Sequence, residues 1–518
     1  MKGTLTQSMA WLHTWCGLLL GWVLFAIFLT GTLAVFDKEI SWWMQPELID
    51  RAQPASEAAN LAHRWLTTHH PDESNWNVSL PSERSAALGV SVGERRRGGE
   101  GVTHLDPLTG DTLEPRETMG GNFFFRFHFS LNLPNMLGIW VVGLAAMAML
   151  VALISGIVIH KKIFKEFFTF RPAKGQRSWL DAHNASAVLL LPFHLMITYT
   201  GLVIFFLIYM PAAVDALFEG DRQAYFSEAQ PTLAAMRAGE RTRPTEAPAA
   251  PLVPLGDLVA RAEARFGPGM IGGLAVANPG RANAEVTVRP VLGHRIELTK
   301  GEAMVFNGVT GELIREPEAS RTSQLIQQVM AGLHFAQFGG YPMRWLYFLC
   351  GLISSAMIAT GLVLYTVKQR RQGTNHAFLK LVESLNVSVI AGLALACIAL
   401  LWANRLLPTG LEGRLGWELR LFFGVWALTW AHGWVRKPMQ AWREQLYAAA
   451  ALALGLPALD VLTGSATDTV RLSLLACVVA MGLGLGWTAW KIPAVVAARK
   501  ARAARTAPID KTPQGVSS

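Results

Sequence analysis

Residues 12–36 read LHTWCGLLLGWVLFAIFLTGTLAVF, an apolar run in which His13, near its start, is the one ionisable side chain besides Cys16. At 1.5 Å per residue a helix of this length crosses a hydrocarbon core of about 30 Å. The run is too long for the apolar part of a secretory signal, and Phe36, Asp37 and Lys38 follow it without a small-residue cleavage site. It is therefore expected to persist as a membrane helix. Comparable runs at 136–159, 187–210, 344–367, 385–403, 418–435, 446–462 and 470–490 bring the expected number of spans to eight.

Composition agrees with this. The chain has 518 residues, 51% hydrophobic and 16% charged, whereas a soluble domain carries about 25% charged residues. A purely soluble enzyme is excluded. The net charge of +9 resides largely in Lys and Arg clusters that flank apolar runs, which is a topology signal and argues against nucleic-acid binding. Cys16, Cys350, Cys397 and Cys477 all lie inside apolar runs, so they read as packing residues and not as a disulfide framework or a metal site.

The short loops set the orientation. Lys161, Lys162, Lys165, Arg171, Lys174 and Arg177 follow the second run; Lys368, Arg370 and Arg371 follow the fourth; Arg436, Lys437 and Arg443 follow the sixth; Lys491, Arg499, Lys500, Arg502 and Arg505 follow the eighth. Even-numbered exits are then cytoplasmic, both termini are inside, and the long polar segments at about 40–125 and 213–330 lie outside, in the periplasm of a bacterium.

The first half of the chain repeats itself. His13 precedes Thr30-Gly31 by the same spacing with which His183 precedes Thr200-Gly201, and Phe36 and Phe206 extend the match. Phe127-His128-Phe129 before Ser155-Gly156 answers Leu333-His334-Phe335 before Thr360-Gly361. The outer segments match too, Leu105-Asp106-Pro107-Leu108-Thr109-Gly110-Asp111 against Phe306-Asn307-Gly308-Val309-Thr310-Gly311-Glu312. Alternating runs such as Glu285-Val286-Thr287-Val288, together with the glycine turns, predict a small antiparallel sheet in each outer segment. The Pro-, Ala- and Glu-rich stretch 220–254 reads as an insertion without chemistry.

Ionisable residues at membrane depth are expensive and mark function. The repeat places His13 and His183 at the inner ends of spans one and three, and His128 and His334 at the outer ends of spans two and four. Paired imidazoles from facing helices are what a six-coordinate haem needs as axial ligands. Two such pairs predict two haems, of b type, stacked across the bilayer. Gly17, Ala187, Gly339 and Gly340 are expected to let a flat macrocycle approach the backbone, and Arg126 and Arg344 outside, with Arg177 or Lys161 inside, to meet its propionates. Zinc is disfavoured, because no carboxylate or thiolate lies at the right depth. His160 is open between a reserve ligand and an interfacial residue, and His194 between a ligand and the lining of a path. His63, His69, His70, His104 and His294 read as surface residues of the outer segments, and His376 and His432 carry no expectation.

These motifs, His13 with Gly17 and Thr30-Gly31, the Asp106-Pro107-Leu108-Thr109-Gly110 turn and the second copy ending in His334 and Thr360-Gly361, resemble the PepSY-associated transmembrane helix family over roughly residues 8–372. That family includes iron-regulated inner-membrane proteins and ferric-siderophore reductases. The resemblance implies an α-helical integral membrane protein of about eight spans, with two small α+β PepSY-like periplasmic domains inserted in a duplicated four-helix haem-binding half. The expected boundaries are span 1 in 1–40, the first outer domain in 41–125, spans 2 and 3 in 126–165 and 176–212, the second outer domain in 213–330, span 4 in 331–370, four added spans in 380–490 and a frayed cytoplasmic tail in 491–518. It also implies haem-ligand roles for His13, His128, His183 and His334, and reduction of iron held by a ferric siderophore. Asn307-Gly308 in place of Asp-Pro, and Ala187 in place of Gly17, mark the second copy as more diverged.

No dinucleotide fingerprint is present, so the electron donor is expected to be a quinol or another protein. The rival expectation is a non-catalytic scaffold, set in membrane lipid, whose outer domains bind a peptide or a peptidase. Transport is disfavoured by an expected lack of buried charges along the spans, and the added spans, with Trp402, Trp417, Trp426, Trp430 and Trp434, are expected to hold little polar chemistry.

Overall fold

A computed structural model describes residues 4–48, 53–85, 87–93, 101–160, 176–229, 247–298, 302–317, 319–373, 375–464 and 468–506. Lys161, Lys162, Lys165, Arg171 and Lys174, much of the 220–254 stretch and the end of the tail lie outside these residues. The first half contains helices α1 (Leu5–Leu19), α2 (Gly21–Ala34), α3 (Asp37–Met44) and α4 (Ala55–His69), strands β1 (Asn75–Ser79), β2 (Leu88–Val92), β3 (Thr103–Leu105) and β4 (Thr112–Leu113), then α5 (Asn122–Ser130) and α6 (Asn135–Ile159). The second copy follows as α7 (Gln176–Leu189), α8 (Leu191–Ile204), three short helices α9 (Phe206–Tyr209), α10 (Ala212–Phe218) and α11 (Arg222–Ala229), α12 (Leu255–Phe266), β5 (Ile271–Ala277), β6 (Glu285–Pro290), β7 (Met304–Asn307), β8 (Leu313–Arg315), α13 (Thr322–Phe335) and α14 (Gly340–Gln372). Four longer elements complete the chain: α15 (His376–Asn386) continuing through a π-helical turn (Val387–Gly392) into α16 (Leu393–Leu406), then α17 (Arg414–Val435), α18 (Pro438–Leu462) and α19 (Thr469–Thr506). The last of these carries helix well past Lys491, into the stretch expected to fray.

Five of the helical segments are long and apolar enough to cross a membrane, and seven are if each of two bent pairs counts as one span. The bent pairs are α1 with α2, at 61°, and α7 with α8, at 67°. Pro192, in the first turn of α8, removes a backbone donor at the second bend, and Gly21 begins α2 at the first. The remaining expected span, 418–435, is helical within α17, but Arg414, Glu418 and Arg420 occupy the first two turns of that helix. Leu144, Met147, Ile154, Leu428, Leu483 and Trp487 are exposed. In water such a surface would be an aggregation site; in a bilayer it faces lipid. The chain is a membrane protein.

The outer segments correct the expectation of two separate domains. Their strands form a single antiparallel sheet in the order β4-β3-β2-β1-β5-β6-β7-β8, two four-stranded meanders joined where β1 pairs with β5, Trp76 opposite Val276 and Val78 opposite Leu274. A lone meander would leave β1 or β5 as a bare edge; pairing the copies removes both. One core lies beneath the sheet, with Ala58, Ala62 and Leu66 of α4 and Leu258, Val259 and Ala262 of α12 packed on Val78, Val90, Leu274 and Val288. The helices cross closely at Gly256, whose amide donates to Asn60 Oδ1 at 2.8 Å, and an added Cβ there would lie 2.4 Å from the Ser56 carbonyl. The divergence at Asn307 proves conservative. Asp106 Oδ1 accepts from the amides of Leu108 and Thr109, Asn307 Oδ1 accepts from those of Val309 and Thr310, and Gly110 and Gly311 both take positive φ. Either side chain supplies the acceptor this turn requires.

The added helices differ most from expectation. Asn404, Arg405, Arg414, Glu418, Asp460 and Arg471 are all buried, most of them where the bundle meets the stem of the sheet, so neither the expected scarcity of polar chemistry nor the expected lack of buried charges holds. Glu418 pairs with Arg414 at 2.7 Å and accepts from Thr118 Oγ1, the Met119 amide and Asn404 Nδ2. Arg405 pairs with Asp460 at 2.7 Å, lies over the Trp43 ring and donates to the Trp43 carbonyl. On the sheet side of the same junction Arg84 binds Glu39 and Asp37. Burial would lower its guanidinium pKa, but the hydrogen bonds and charges of Glu39 and Asp37 outweigh that and hold it above the usual value. The Glu418 contacts hold Thr118 and Met119, in the segment that leads into α5. Trp402 and Trp426 are packing residues, donating to the Leu452 and Ser388 carbonyls, whereas Trp417, Trp430 and Trp434 lie more exposed.

Two outcomes follow. Ala275→Pro, in the middle of β5, removes a ladder donor; amide exchange is expected to rise in both 75–79 and 285–290, and a rise on one side alone would show that the meanders fold independently. Glu418→Ala strands a buried guanidinium and is expected to cost about 3–5 kcal/mol, seen as a lowered Tm, while the paired change Arg414→Met with Glu418→Leu recovers most of the loss.

Candidate functional site

Each half of the repeat builds one wall of two histidine pairs. His13 of α1 and His183 of α7 lie together, their ring centres 6.2 Å apart. His128 of α5 and His334 of α13 form the other pair, at 5.9 Å. Helices α5 and α13 both end in a left-handed residue just beyond the histidine, Leu131 with φ 53° and Ala336 with φ 50°, which turns the chain into the next membrane helix. Within the bent pairs, His13 lies 18 residues before Gly31, the glycine that backs His128. At 1.5 Å per residue the two levels are separated by at most about 27 Å along the helices, and the bend shortens this.

Each of the four imidazoles is held through Nδ1. Nδ1 of His13 bonds the Ala152 carbonyl at 2.9 Å, that of His128 the Ile27 carbonyl at 2.8 Å and that of His183 the Met357 carbonyl at 2.8 Å. His334 differs: its Nδ1 lies 3.1 Å from Thr200 Oγ1, and its ring is also bonded by the Ile197 backbone. Ala152, Ile27, Met357 and Ile197 each precede by three residues a hydroxyl residue of the repeated Ser/Thr-Gly motif: Ser155, Thr30, Thr360 and Thr200. Each hydroxyl in turn donates to the carbonyl four residues back, at Val151, Ala26, Ala356 and Met196. The glycine of each motif then faces the ring edge. A Cβ on Gly31 would lie 2.5 Å from His128 Nδ1, on Gly201 2.9 Å from His334 Cε1, on Gly361 3.0 Å from His183 Cε1, and on Gly156 3.4 Å from His13 Cε1.

This arrangement decides the tautomer. A carbonyl can only accept, so in His13, His128 and His183 Nδ1 carries the proton and Nε2 the lone pair; Thr200 Oγ1, which donates its proton to the Met196 carbonyl, accepts from Nδ1 of His334 and sets the same tautomer there. No protein hydrogen bond engages Nε2 in any of the four among the described residues. The donor set is that of paired neutral imidazoles whose second nitrogens are fixed by hydrogen bonds, the usual support of a metal-ligating histidine. Two metal–imidazole bonds of about 2 Å on opposite sides of one ion place the ring centres roughly 6 Å apart, which both pairs match. Among the described residues no group of three or more His, Cys, Asp or Glu side chains is placed to hold a bare metal ion.

The other expected site residues fare differently. His194 is buried and paired with no histidine; its Nε2 lies 2.9 Å from Ser354 Oγ. His160 caps α6, and its Nε2 accepts from Asn184 Nδ2 at 3.2 Å, so its free nitrogen is already engaged. Arg344 is buried beside the outer pair and donates to the Gln337 carbonyl, three residues past His334. Arg126 is exposed, as is Arg177, and Lys161 lies outside the described residues. The space beside Gly17 is open, with nothing within 4 Å of an added Cβ, and Gly339 and Gly340 take the positive φ of the turn into α14. The close approaches to a histidine ring occur at Gly31, Gly156, Gly201 and Gly361. These were visible in the sequence as the landmarks of the repeat, yet their contact is with a histidine on another helix, which spacing along one helix cannot reveal.

The fold and site thus define a membrane protein built by duplication around two histidine pairs. The chain belongs to the PepSY-associated transmembrane family: the model of that family, described as the PepSY-associated TM region, matches residues 10–368. The match covers both copies of the repeat and stops where the added helices begin. No curated protein matches the chain.

The glycine contacts lead to a graded expectation. Gly31→Ala and Gly201→Ala push the imidazole off its acceptor and are expected to destabilise by about 1–3 kcal/mol, whereas Gly17→Ala is neutral. Thermal unfolding of the three variants reads this directly, and equal effects at all three would show that the cradles are not tight.

Proposed function

We propose that this chain is an inner-membrane electron conduit that reduces ferric iron held by a siderophore in the periplasm. The observation that carries the reading is the pair of histidine pairs, each ring with Nδ1 fixed by the neighbouring helix and Nε2 left free to ligate. That donor set fits haem, whose iron two neutral imidazoles would hold without further ligands from the chain. His13 with His183, and His128 with His334, would hold two haem b groups at opposite ends of the repeat. When bound, haem supplies reversible one-electron iron chemistry that no side chain here possesses. The chain's own part is to keep four imidazoles neutral and oriented, to surround them with apolar helices that exclude water, and to set the two levels in series. Arg344 is the cation best placed to meet a propionate of the outer group.

Topology supports the direction. Lys368, Arg370 and Arg371, and Arg436 with Lys437, fall at the ends of α14 and α17 away from the sheet, so the positive-inside rule assigns that end to the cytoplasm and the sheet to the periplasm. Helix α17 runs from the buried clamp at Glu418 on the sheet side to His432, which bonds Glu444 beside Arg436 on the other, and so makes an eighth pass. In this reading His13 and His183 would hold the group that faces a quinol or a donor protein on the cytoplasmic side, and His128 and His334 the group beside the periplasmic sheet. Reduction loosens the chelate, because hard siderophore oxygens favour ferric over ferrous iron.

A reduced-minus-oxidised optical spectrum of the purified chain tests this. A b-type haem difference spectrum is expected, with His13→Ala and His334→Ala each removing about half of it. Absence of the signal would end the reading, and full retention in both variants would show that other residues ligate.

A further inference from the structure

A cavity of about 1380 Å3 opens on the flank of the bundle beside the outer histidine pair, larger than the roughly 300–1,000 Å3 of ordinary small-molecule sites. Its two ends differ in chemistry. Trp140, Leu144 and Met147 of α6 and Tyr199 of α8 line one end, and all four are about half exposed or more on the surface that faces lipid. The other end, nearer the sheet, is polar and carries three guanidiniums. Arg295 is paired with Glu302 at 3.1 Å. Arg315 and Arg321 have no carboxylate within ion-pair distance among the described residues, and the further acidic side chain of the lining is Glu228. The balance of unpaired charge is therefore positive. Phe335 forms the wall toward the bundle core, and its ring centre lies 6.1 Å from that of His334.

We infer that this cavity is the docking site of the ferric chelate, and that it selects an amphiphilic one, with an anionic chelate head against Arg315 and Arg321 and an aliphatic tail along Leu144, Met147 and Tyr199. The inference rests on the conduit reading above. A compact, fully water-soluble chelate would leave the apolar end uncovered, and an uncharged one would leave two guanidiniums without a counterion. A phospholipid has the same head-and-tail chemistry. What favours a chelate is position, since the lining includes Phe335, whose ring centre lies 6.1 Å from that of His334, and storage of an ordinary lipid makes no use of that proximity.

Gallium(III) complexes of 4-octylcatechol and 4-methylcatechol serve as probes, because they copy the anionic ferric head and are not reduced. Radiolabelled gallium bound to the full-length chain in phosphatidylcholine nanodiscs, corrected for empty discs, is expected to show at least tenfold tighter binding of the octyl complex. Arg315→Glu with Arg321→Glu is expected to weaken that binding at least tenfold, while Arg265→Glu, remote from the cavity, leaves it unchanged; thermal unfolding confirms that each variant is folded. Equal binding of the two probes, indifference to the double reversal, or displacement of the octyl complex by equimolar phosphatidylglycerol would overturn the proposal, the last by marking a lipid site. The haem spectrum of the same sample keeps the two readings apart. Haem without chain-length preference overturns the cavity alone, and preference without haem overturns the conduit alone.

Discussion

The structure depends on one arrangement made four times: an imidazole Nδ1–H held by a neighbouring helix across a glycine, by a carbonyl at His13, His128 and His183 and by the Thr200 hydroxyl at His334. The arrangement solves two problems at once. A histidine buried in a bundle must stay neutral and must satisfy its donor nitrogen, because an unpaired polar group at that depth is costly. A histidine that is to act as a ligand must also present its other nitrogen in a fixed direction. Bonding Nδ1 to an acceptor on the neighbouring helix achieves both, and the glycine lets the ring come close enough for the bond to form. Ser or Thr three residues beyond the carbonyl bonds further back along its own helix, which occupies the hydroxyl locally and strengthens the turn on which the ring rests.

Much of this was legible in the sequence, and the limits have physical causes. The periodicity of apolar runs located the membrane helices, and the spacing from His13 to Gly31 and from His183 to Gly201 exposed the duplication. The same spacing could not show that Gly156, on a helix that returns through the membrane, is the neighbour of His13 in space. Pairing across helices is a tertiary fact. The joined sheet was equally out of reach: β1 and β5 lie nearly 200 residues apart, and each meander alone satisfies the alternating pattern of Val286 and Val288. In the added helices the run 418–435 reads as apolar with little polar chemistry; only the packed structure shows Arg414 and Glu418 buried as a pair, with Glu418 bonded to Thr118 and Met119.

That burial gives the added helices a role. They do not form part of either histidine pair, yet Phe422, Phe423 and Trp426 pack against Phe127, the residue before His128, and the Glu418 clamp holds the segment that enters α5. The family match ends before these helices begin. The added helices thus support the outer pair directly, and the joined sheet adds a second support by tying the stems of both copies together. Neutral, oriented imidazoles at the inner level depend mainly on the contacts of α1 with α6 and of α7 with α14.

The central claim is that each pair supplies both axial nitrogens to one iron. Electron paramagnetic resonance of the oxidised, purified chain addresses it directly. Two low-spin ferric signals of the bis-imidazole type are expected, one lost on replacing His13 or His183 and the other on replacing His128 or His334. A high-spin signal in the unaltered chain, or a single low-spin signal lost with any one of the four, would contradict the account.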